Sequence, residues 1–512
     1  MRTIALLLAC LFAARASAAD TSGGRPNIVL IMADDMGYSD VGCYGGDIRT
    51  PNIDSLARDD MRFSQFYNCA KCTTTRECIL TGTYPRTTSG PIGTDKVTIA
   101  EVLRAAGYHT SLSGKWHMGW QSPNRPFDRG FEEAYGLLDG CCNYFNPAQP
   151  DPQFKGGKVR HFGHNDQIIT EFPRDFYTTD AFTTHAIETI KRFHADGKPF
   201  FAHITYNSPH YPLHAPPEDI ARYVGKYMMG WEEMRRQRHA RQLEMGLLDP
   251  KWALSPTDSK AYDWSGANQK WEDLRMATYA AMVDRMDQNI GRVLATLREL
   301  KIEDNTVVMF LSDNGGCPEE PGGRDDTQQP GIVSTYTAVG PSWGWAQNTP
   351  FRKHKADTHE GGISTPLIVR WPGHVAPGSM THQVGHIVDM LATCAEIAGA
   401  PYPTNFNGHA IMPIEGASLL PVFKGETRPA PAQLAWDWSG SRAIREGKWK
   451  AINDQPANGW GLYDMEADRT ELHDLSKQNP ERLNKMIADW TAWAQKTNPN
   501  LLKPGKKKKG DD

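Results

Sequence analysis

Short apolar runs recur along the chain, and each ends abruptly in polar or charged residues. Asn27-Ile28-Val29-Leu30-Ile31-Met32 leads into Asp34-Asp35. The run at 108–112 leads into Gly114-Lys115-Trp116-His117. The run at 200–206 leads into Pro209-His210, and Thr306-Val307-Val308-Met309-Phe310-Leu311 leads into Asp313-Asn314. Runs of this length with no polar alternation predict strands buried on both faces. Between them, apolar residues fall at three- and four-residue spacing over 53–61, 99–106, 181–193 and 274–300, which predicts helices. Strands alternating with helices predict an α/β domain with a large, mostly parallel sheet and helices on both faces. Ligands of such sheets bind outside the carboxyl ends of the strands. Here the charged residues fall at those ends, so one shared site is expected.

The pattern breaks twice. Residues 218–271 are charged and rich in Met and Trp, and they interrupt the strand rhythm; a helical insertion is expected there. Residues 373–379 read as a loop and 387–398 as a helix of the large domain. From about Arg428 the texture changes to alternation. Ser441-Arg442-Ala443-Ile444-Arg445 and Trp449-Lys450-Ala451-Ile452, with Gly447 between them, read as antiparallel strands. Gly461-Leu462-Tyr463-Asp464 reads as a further short strand, and 481–496 as an amphipathic helix. The expected organisation is a catalytic domain over 20–427, a smaller C-terminal α+β subdomain with an antiparallel sheet over 428–498, and a disordered basic tail over 499–512. There is no internal repeat.

The first residues change the picture of location. Arg2, an apolar stretch at 4–14 and Ala16-Ser17-Ala18 form an export signal over 1–19. An exported protein, periplasmic or secreted, is expected. No later stretch is apolar for long enough to span a membrane. A net charge of -4 over 512 residues gives no footprint for nucleic acid. Removing Cys10 and Cys72 from the nine cysteines leaves seven, so at least one stays unpaired. Cys141-Cys142 fits a vicinal disulfide, halves of two bridges, or two buried thiols.

The strand-end residues suggest chemistry. Asp34-Asp35 and Asp313-Asn314 are each also readable as solvated turns. Together they offer three carboxylates and an amide oxygen, hard donors suited to Ca²⁺ or Mg²⁺ rather than zinc. Cys72-Thr73-Thr74-Thr75-Arg76 precedes Glu77-Cys78-Ile79-Leu80-Thr81-Gly82. A helix beginning there would place its amino terminus, a ready anion site, at Cys72. Gly114-Lys115-Trp116-His117-Met118-Gly119, Ser208-Pro209-His210 with His214, and Lys355 before Thr358-His359-Glu360-Gly361-Gly362 complete the set.

In this order the blocks resemble the type I, formylglycine-dependent sulfatases of the alkaline phosphatase-like superfamily, over nearly all of the mature chain. The stretch 223–252 is similar to that of the arylsulfatase-like bacterial branch. The resemblance implies that Cys72 is oxidised to formylglycine by a formylglycine-generating enzyme. It also implies one Ca²⁺ (Mg²⁺ the alternative) held by Asp34, Asp35, Asp313, Asn314 and the modified Cys72. Arg76 then holds the cluster, and Lys115, His210 and Lys355 bind the sulfuryl oxygens. His210, with Lys355 as the alternative, protonates the leaving oxygen, and His117 takes the proton that releases sulfate. His214 is implied to be structural, and His359 falls at an often aromatic position. The chain departs from the family's usual Cys-x-Pro-x-Arg in having Thr74 at the Pro position, and Thr75 where Ser is frequent.

The expected substrate is a sulfated small molecule or polysaccharide, an aryl or carbohydrate sulfate. Two other readings compete. One is a phosphatase or phosphonate monoester hydrolase of the same superfamily. The other is a secreted, non-catalytic binding protein in which Cys72 stays a thiol. Trp116, Trp120, Trp343, Trp345, Tyr144 and Phe145 are equally readable as pocket or core.

Overall fold

A computed structural model describes residues 24–86, 90–454 and 459–502. The expected export signal over 1–19 and residues 503–512 of the expected basic tail lie outside them. The large sheet has eleven strands: β1 (Asn27–Ala33), β2 (Met61–Tyr67), β3 (His109–Gly114), β4 (Glu133–Leu137), β5 (Phe162–His164), β6 (Gln167–Ile169), β7 (Phe200–Thr205), β8 (Thr306–Ser312), β9 (Ser364–Arg370), β10 (Ser379–Thr381) and β11 (Gly385–His386). The order is β10-β2-β9-β8-β1-β7-β3-β4-β5-β6, with β11 also on β2. The centre, β8-β1-β7-β3-β4, is parallel. Strand β9 runs antiparallel between β8 and β2, and β5 and β6 are antiparallel at the other edge.

Strand β1 shows why its run is apolar throughout. Val29, Ile31 and Ala33 pack into one core, and Ile28, Leu30 and Met32 into a second on the opposite face. That is the period-two alternation of a strand covered on both sides. The helices are α1 (Pro51–Asp59), α2 (Cys72–Thr81), α3 (Ile99–Ala105), α4 (Thr178–Ala195), α5 (Pro217–Ile220), α6 (Gly230–Glu244), α7 (Gln269–Glu299), α8 (Gly340–Ala346), α9 (Glu360–Ile363), α10 (Asp389–Ala398) and α11 (Leu420–Phe423). Helices α1, α4 and α7 cover one face, and α2, α3 and α10 the other. Helix α3 starts at a capping box, with Thr98 and Glu101 each satisfying the other's backbone N–H.

Three parts differ from the sequence reading. Strands β2, β4, β5 and β9 sit inside the sheet where none was expected. Arg62 and Gln65 interrupt β2's apolar face, and it follows α1 with only Asp60 between them. In 218–271 only α6 is a long helix; Gly246, Pro250, Pro256 and Gly266 break the pattern over 245–268. Residues Pro499–Leu502 form a helical turn, with Leu501 packed on the C-terminal core.

After the small hairpin β12 (Asn405–Phe406) and β13 (His409–Ala410), the chain enters a four-stranded antiparallel sheet. Its strands are β14 (Leu434–Trp438), β15 (Ser441–Glu446), β16 (Trp449–Asn453) and β17 (Gly461–Asp464), in sequence order. Helix α12 (Pro480–Thr497) lays Met486, Trp490 and Trp493 on Ile444, Ala451 and Leu462. The other face, through Trp436, Ala443 and Ile452, packs on Tyr67 and Ile363 of the large domain. No described helix is long and apolar enough to cross a membrane.

Candidate active site

The carboxyl ends of β1 and β8 are adjacent, so the residues after them meet. Asp34, Asp35, Asp313 and Asn314 are all buried, none more than 1% exposed. Asp35 has φ 65°, a left-handed conformation unfavourable for a residue with a Cβ. That turn is held by its own N–H donating to Asp313 Oδ1 at 3.2 Å, and by Asn314 Nδ2 donating to Asp35 Oδ1 at 2.7 Å. Strained backbone kept by surrounding bonds is common at functional sites. Asp34 Oδ1 and Asn314 Oδ1 are buried oxygens with no hydrogen-bond partner among the described residues. Burial pushes the Asp34 carboxyl well above its ordinary value, and the neighbouring Asp313 and Asp35 push the same way. Orphaned oxygens and crowded carboxylates together fit a hard divalent cation, which removes both costs. Ligand atoms of Asp34, Asp35 and His210 lie within 4.8 Å of one another and could hold such an ion.

Cys72 is the first residue of α2, after an extended Lys71. All ten residues of that helix are buried, so its amino-terminal N–H groups act in a low dielectric. Thr74 takes over a structural task at the position where proline is usual. Its hydroxyl stands 2.8 Å from the Cys69 carbonyl and 2.9 Å from the Lys71 carbonyl, pinning the first turn. Thr75 Oγ1 accepts from Cys69 N–H at 3.0 Å. Arg76, one turn along, donates to Lys115 O at 2.8 Å and Asp313 Oδ2 at 2.9 Å. Burial works against its guanidinium, but Asp313, Asp34 and Cys72 outweigh it and hold its pKa above the ordinary value.

Lys115 leaves the end of β3 and places Nζ 2.7 Å from Asp34 Oδ2. Glycine is required just before it, since a Cβ on Gly114 would stand 1.9 Å from Thr205 O. Burial lowers the lysine's pKa, yet Asp34, Cys72 and Asp313 raise it further, so the ammonium stays charged. Lys355 Nζ is 2.9 Å from Asp35 Oδ2 and 3.4 Å from His210 Nε2. His210 Nε2 is itself 3.5 Å from Asp35 Oδ2, and its Nδ1 is 2.6 Å from Tyr211 O. A donor on Nδ1 leaves Nε2 as the atom facing the cluster. His117 has φ 60° and lies against Gly140, where a Cβ would stand 2.7 Å from its ring.

Some functional neighbours carried no sequence signal. Glu319 lies in an aperiodic loop, yet its carboxylate binds Lys71 Nζ at 3.0 Å and the Tyr211 hydroxyl at 2.8 Å, and stands 3.9 Å from Lys355 Nζ. Arg238, from α6, donates to Asp40 at 2.6 Å and Asp47 at 2.7 Å. Tyr279 of α7 donates to Asp40 at 2.7 Å and to Asp35 O at 3.2 Å. Arg238 of the 218–271 segment and Tyr279 beyond it therefore brace the loop that follows Asp34 and Asp35.

His214 is buried, bonds Thr335 O at 2.9 Å, and has its pKa lowered to about 4 by burial. His359 bonds Glu471 at 2.7 Å. Of the aromatic candidates, Trp116, Trp343, Trp345 and Tyr144 are core, while Trp120 is exposed and Phe145 half-buried. All eight described cysteines are buried, and no disulfide joins any two of them, Cys141 and Cys142 included.

Comparison with known proteins follows this geometry. Residues 26–400 match the family described as Sulfatase, and residues 353–490 match N-sulphoglucosamine sulphohydrolase, C-terminal. An uncharacterized sulfatase of Schizosaccharomyces pombe is 32% identical, covering 94% of this chain and 98% of the relative. The arylsulfatase of Klebsiella aerogenes is 31% identical, over 80% of this chain and 94% of its own. Among solved structures, Ps i-CgsB in complex with k-i-k-neocarrahexaose is similar, with a TM-score of 0.70 and 29% identity, covering 94% of this chain and 95% of that one. With buried acids, lysines and a cysteine that opens a helix gathered at the strand ends, the chain belongs to the sulfatase family and is a sulfuric ester hydrolase.

Proposed function

We propose that this chain hydrolyses an aryl or carbohydrate sulfate ester to alcohol and inorganic sulfate, with formylglycine at position 72 and one Ca²⁺ in the Asp34, Asp35, Asp313 and Asn314 cluster. The observation that carries this reading is the placement of Cys72 on the first turn of a wholly buried helix, within electrostatic reach of Arg76 and Lys115. Ca²⁺ there would neutralise carboxylates and polarise an oxygen bound to it. The hydrated aldehyde would supply the attacking oxygen; a plain Cys or Ser would leave an ester that water must open at sulfur.

The remaining steps belong to the chain's own side chains. An ammonium has three donors, so Lys115 and Lys355 can each hold a carboxylate and a sulfuryl oxygen together. Three cations, Arg76, Lys115 and Lys355, face three carboxylates, Asp34, Asp35 and Asp313. That balance turns net positive when a divalent ion enters, which suits an anionic ester. His210, as an imidazolium with a proton on each ring nitrogen, faces the cluster through Nε2 and gives that proton to the leaving oxygen, which returns it to the neutral form. His117, on the β3 side, takes a proton to release sulfate. The likeness to Ps i-CgsB, solved with k-i-k-neocarrahexaose, supports a carbohydrate ester. Export as a periplasmic or secreted protein fits that substrate.

Paired kinetics on an aryl sulfate and the matching aryl phosphate test the reaction; kcat/KM is expected to favour the sulfate, and a strong phosphate preference overturns the reading. Peptide mass spectrometry across residue 72 should show a loss of about 18 Da for thiol-to-aldehyde conversion. An unmodified thiol throughout an active preparation would exclude formylglycine.

Metal removal gives a further expectation. Exhaustive dialysis against a calcium chelator should strip one ion per chain, read by elemental analysis, and reduce kcat to background. Ca²⁺ should restore it, and Zn²⁺ should not, because the donors are oxygens. Full activity in metal-free protein would refute the assignment.

A further inference from the structure

A second group of ligating side chains gathers at the β4 edge of the large sheet, outside the cluster above. Glu133 opens β4, His164 closes β5, and His185 lies in the middle of α4. Both imidazoles direct Nε2 at one carboxylate oxygen, Oε1 of Glu133, at 2.7 Å from His164 and 3.4 Å from His185. The three donor atoms lie within 4.8 Å of one another. The second oxygen, Oε2, is taken by Arg192 at 2.6 Å, which fixes the carboxylate. Asn165 Nδ2 also reaches Oε1, at 3.4 Å. His185 Nδ1 is 2.7 Å from Ser113 Oγ. Tyr135 stacks on His185 with centroids 5.0 Å apart and meets His164 edge-on at 5.8 Å. The His164 side chain is 48% exposed, against 15% and 12% for those of Glu133 and His185, so the group opens to solvent on one side.

We propose that Glu133, His164 and His185 form a zinc site, with Glu133 Oε1, the two imidazole Nε2 atoms and a solvent molecule as its four ligands. Two nitrogens and one carboxylate oxygen suit zinc, whereas the Asp34, Asp35, Asp313 and Asn314 oxygens suit a harder ion. Tetrahedral ligands at about 2.0–2.1 Å stand roughly 3.3 Å from each other. The His185 spacing already matches; the exposed His164 ring has to draw back by about half an ångström. Ser113 holds the outer nitrogen of His185, the second contact that metal-bound histidines usually make. Arg192 leaves Glu133 one oxygen for the ion. The bound ion ties β4 and β5 to α4, so its role is to fasten that edge of the fold.

The test is calorimetric titration of full-length protein with zinc chloride in saturating Ca²⁺, which keeps the oxygen cluster occupied. One zinc per chain is expected at micromolar affinity or tighter. His164→Ala should weaken binding about 100-fold and Ser113→Ala about tenfold, while His164→Ala leaves sulfatase kcat unchanged. Crystals soaked in zinc should show an anomalous peak among the three side chains. Absence of zinc binding overturns the proposal. So does binding that survives both His164→Ala and Glu133→Gln in variants shown by circular dichroism to be folded.

Discussion

Cys72→Ala is expected to lower turnover of a sulfate ester on the order of 10⁴-fold or more, with the fold intact. The loss is chemical because three neighbouring side chains fasten the helix that carries Cys72. Thr74, Thr75 and Arg76 fasten the first turn of α2, through the carbonyls of Cys69, Lys71 and Lys115 and the N–H of Cys69. Truncating this one small buried side chain leaves a void that costs about 1–2 kcal/mol, well inside the 5–15 kcal/mol typical of a domain. Circular dichroism should therefore match the parent protein, while calcium, having lost one ligand of five, should bind more weakly but still at one ion per chain. Cys72→Ser sharpens the result. It restores an oxygen at nearly the same place, but a serine ester must be opened by water at sulfur. Single-turnover release of alcohol without steady-state turnover is the expected behaviour. An alanine variant within tenfold of the parent would sink the proposed role of residue 72.

The strand-end residues were legible because the physics that places them is local. A fully apolar run reads as a buried strand, and the residue after it must lie at the sheet's carboxyl edge. Asp34, Lys115, His210 and Asp313 follow from that alone, and the structure brings all four together. Strands β2 and β9 were not legible. β2 carries Arg62 and Gln65 at positions partly open to solvent, and β9 follows a motif whose chemistry masked its periodicity. Glu319 and Arg238 were invisible for a different reason. Each acts through partners more than a hundred residues away, Lys71 and Tyr211 in one case and Asp40 and Asp47 in the other, and no local pattern encodes such a pairing. Thr74 sits between these cases: it breaks the family pattern in sequence, yet its hydroxyl fixes the turn that a proline ring would otherwise constrain.

Lys450→Met is expected to destabilise the protein by about 3–5 kcal/mol, enough to lower the first unfolding transition on the order of 10 °C. Lys450 lies on β16, fully buried, with Nζ 2.8 Å from Glu360 and 2.7 Å from Glu471. Arg469 and Tyr67 complete the contacts to Glu360. Removing the ammonium leaves two carboxylates crowded in a low dielectric, the costly half of a broken buried pair. Acid titration checks the cause. Burial opposes ionisation of Glu471, but Lys450 and then His359 outweigh it and hold its pKa at about 2, below the ordinary 4.5. A lowered carboxyl pKa contributes stability that is present above 4.5 and fades as pH falls toward 2. The stability gap between parent and Lys450→Met should therefore narrow through that window, and Glu471→Gln added to the variant should recover part of the loss near neutrality. The effect should also reach catalysis. Glu360 begins α9, and the next residue, Gly361, packs so closely on Gly315 that a Cβ there would stand 1.9 Å from its carbonyl. The C-terminal sheet thus fixes the segment that carries Lys355 against the one that carries Asp313 and Asn314. In folded Lys450→Met, kcat should fall more than KM changes if Lys355 has its proposed role of holding charge that develops in the transition state. An unchanged kcat would show that the interdomain ion network stabilises the fold without positioning the site.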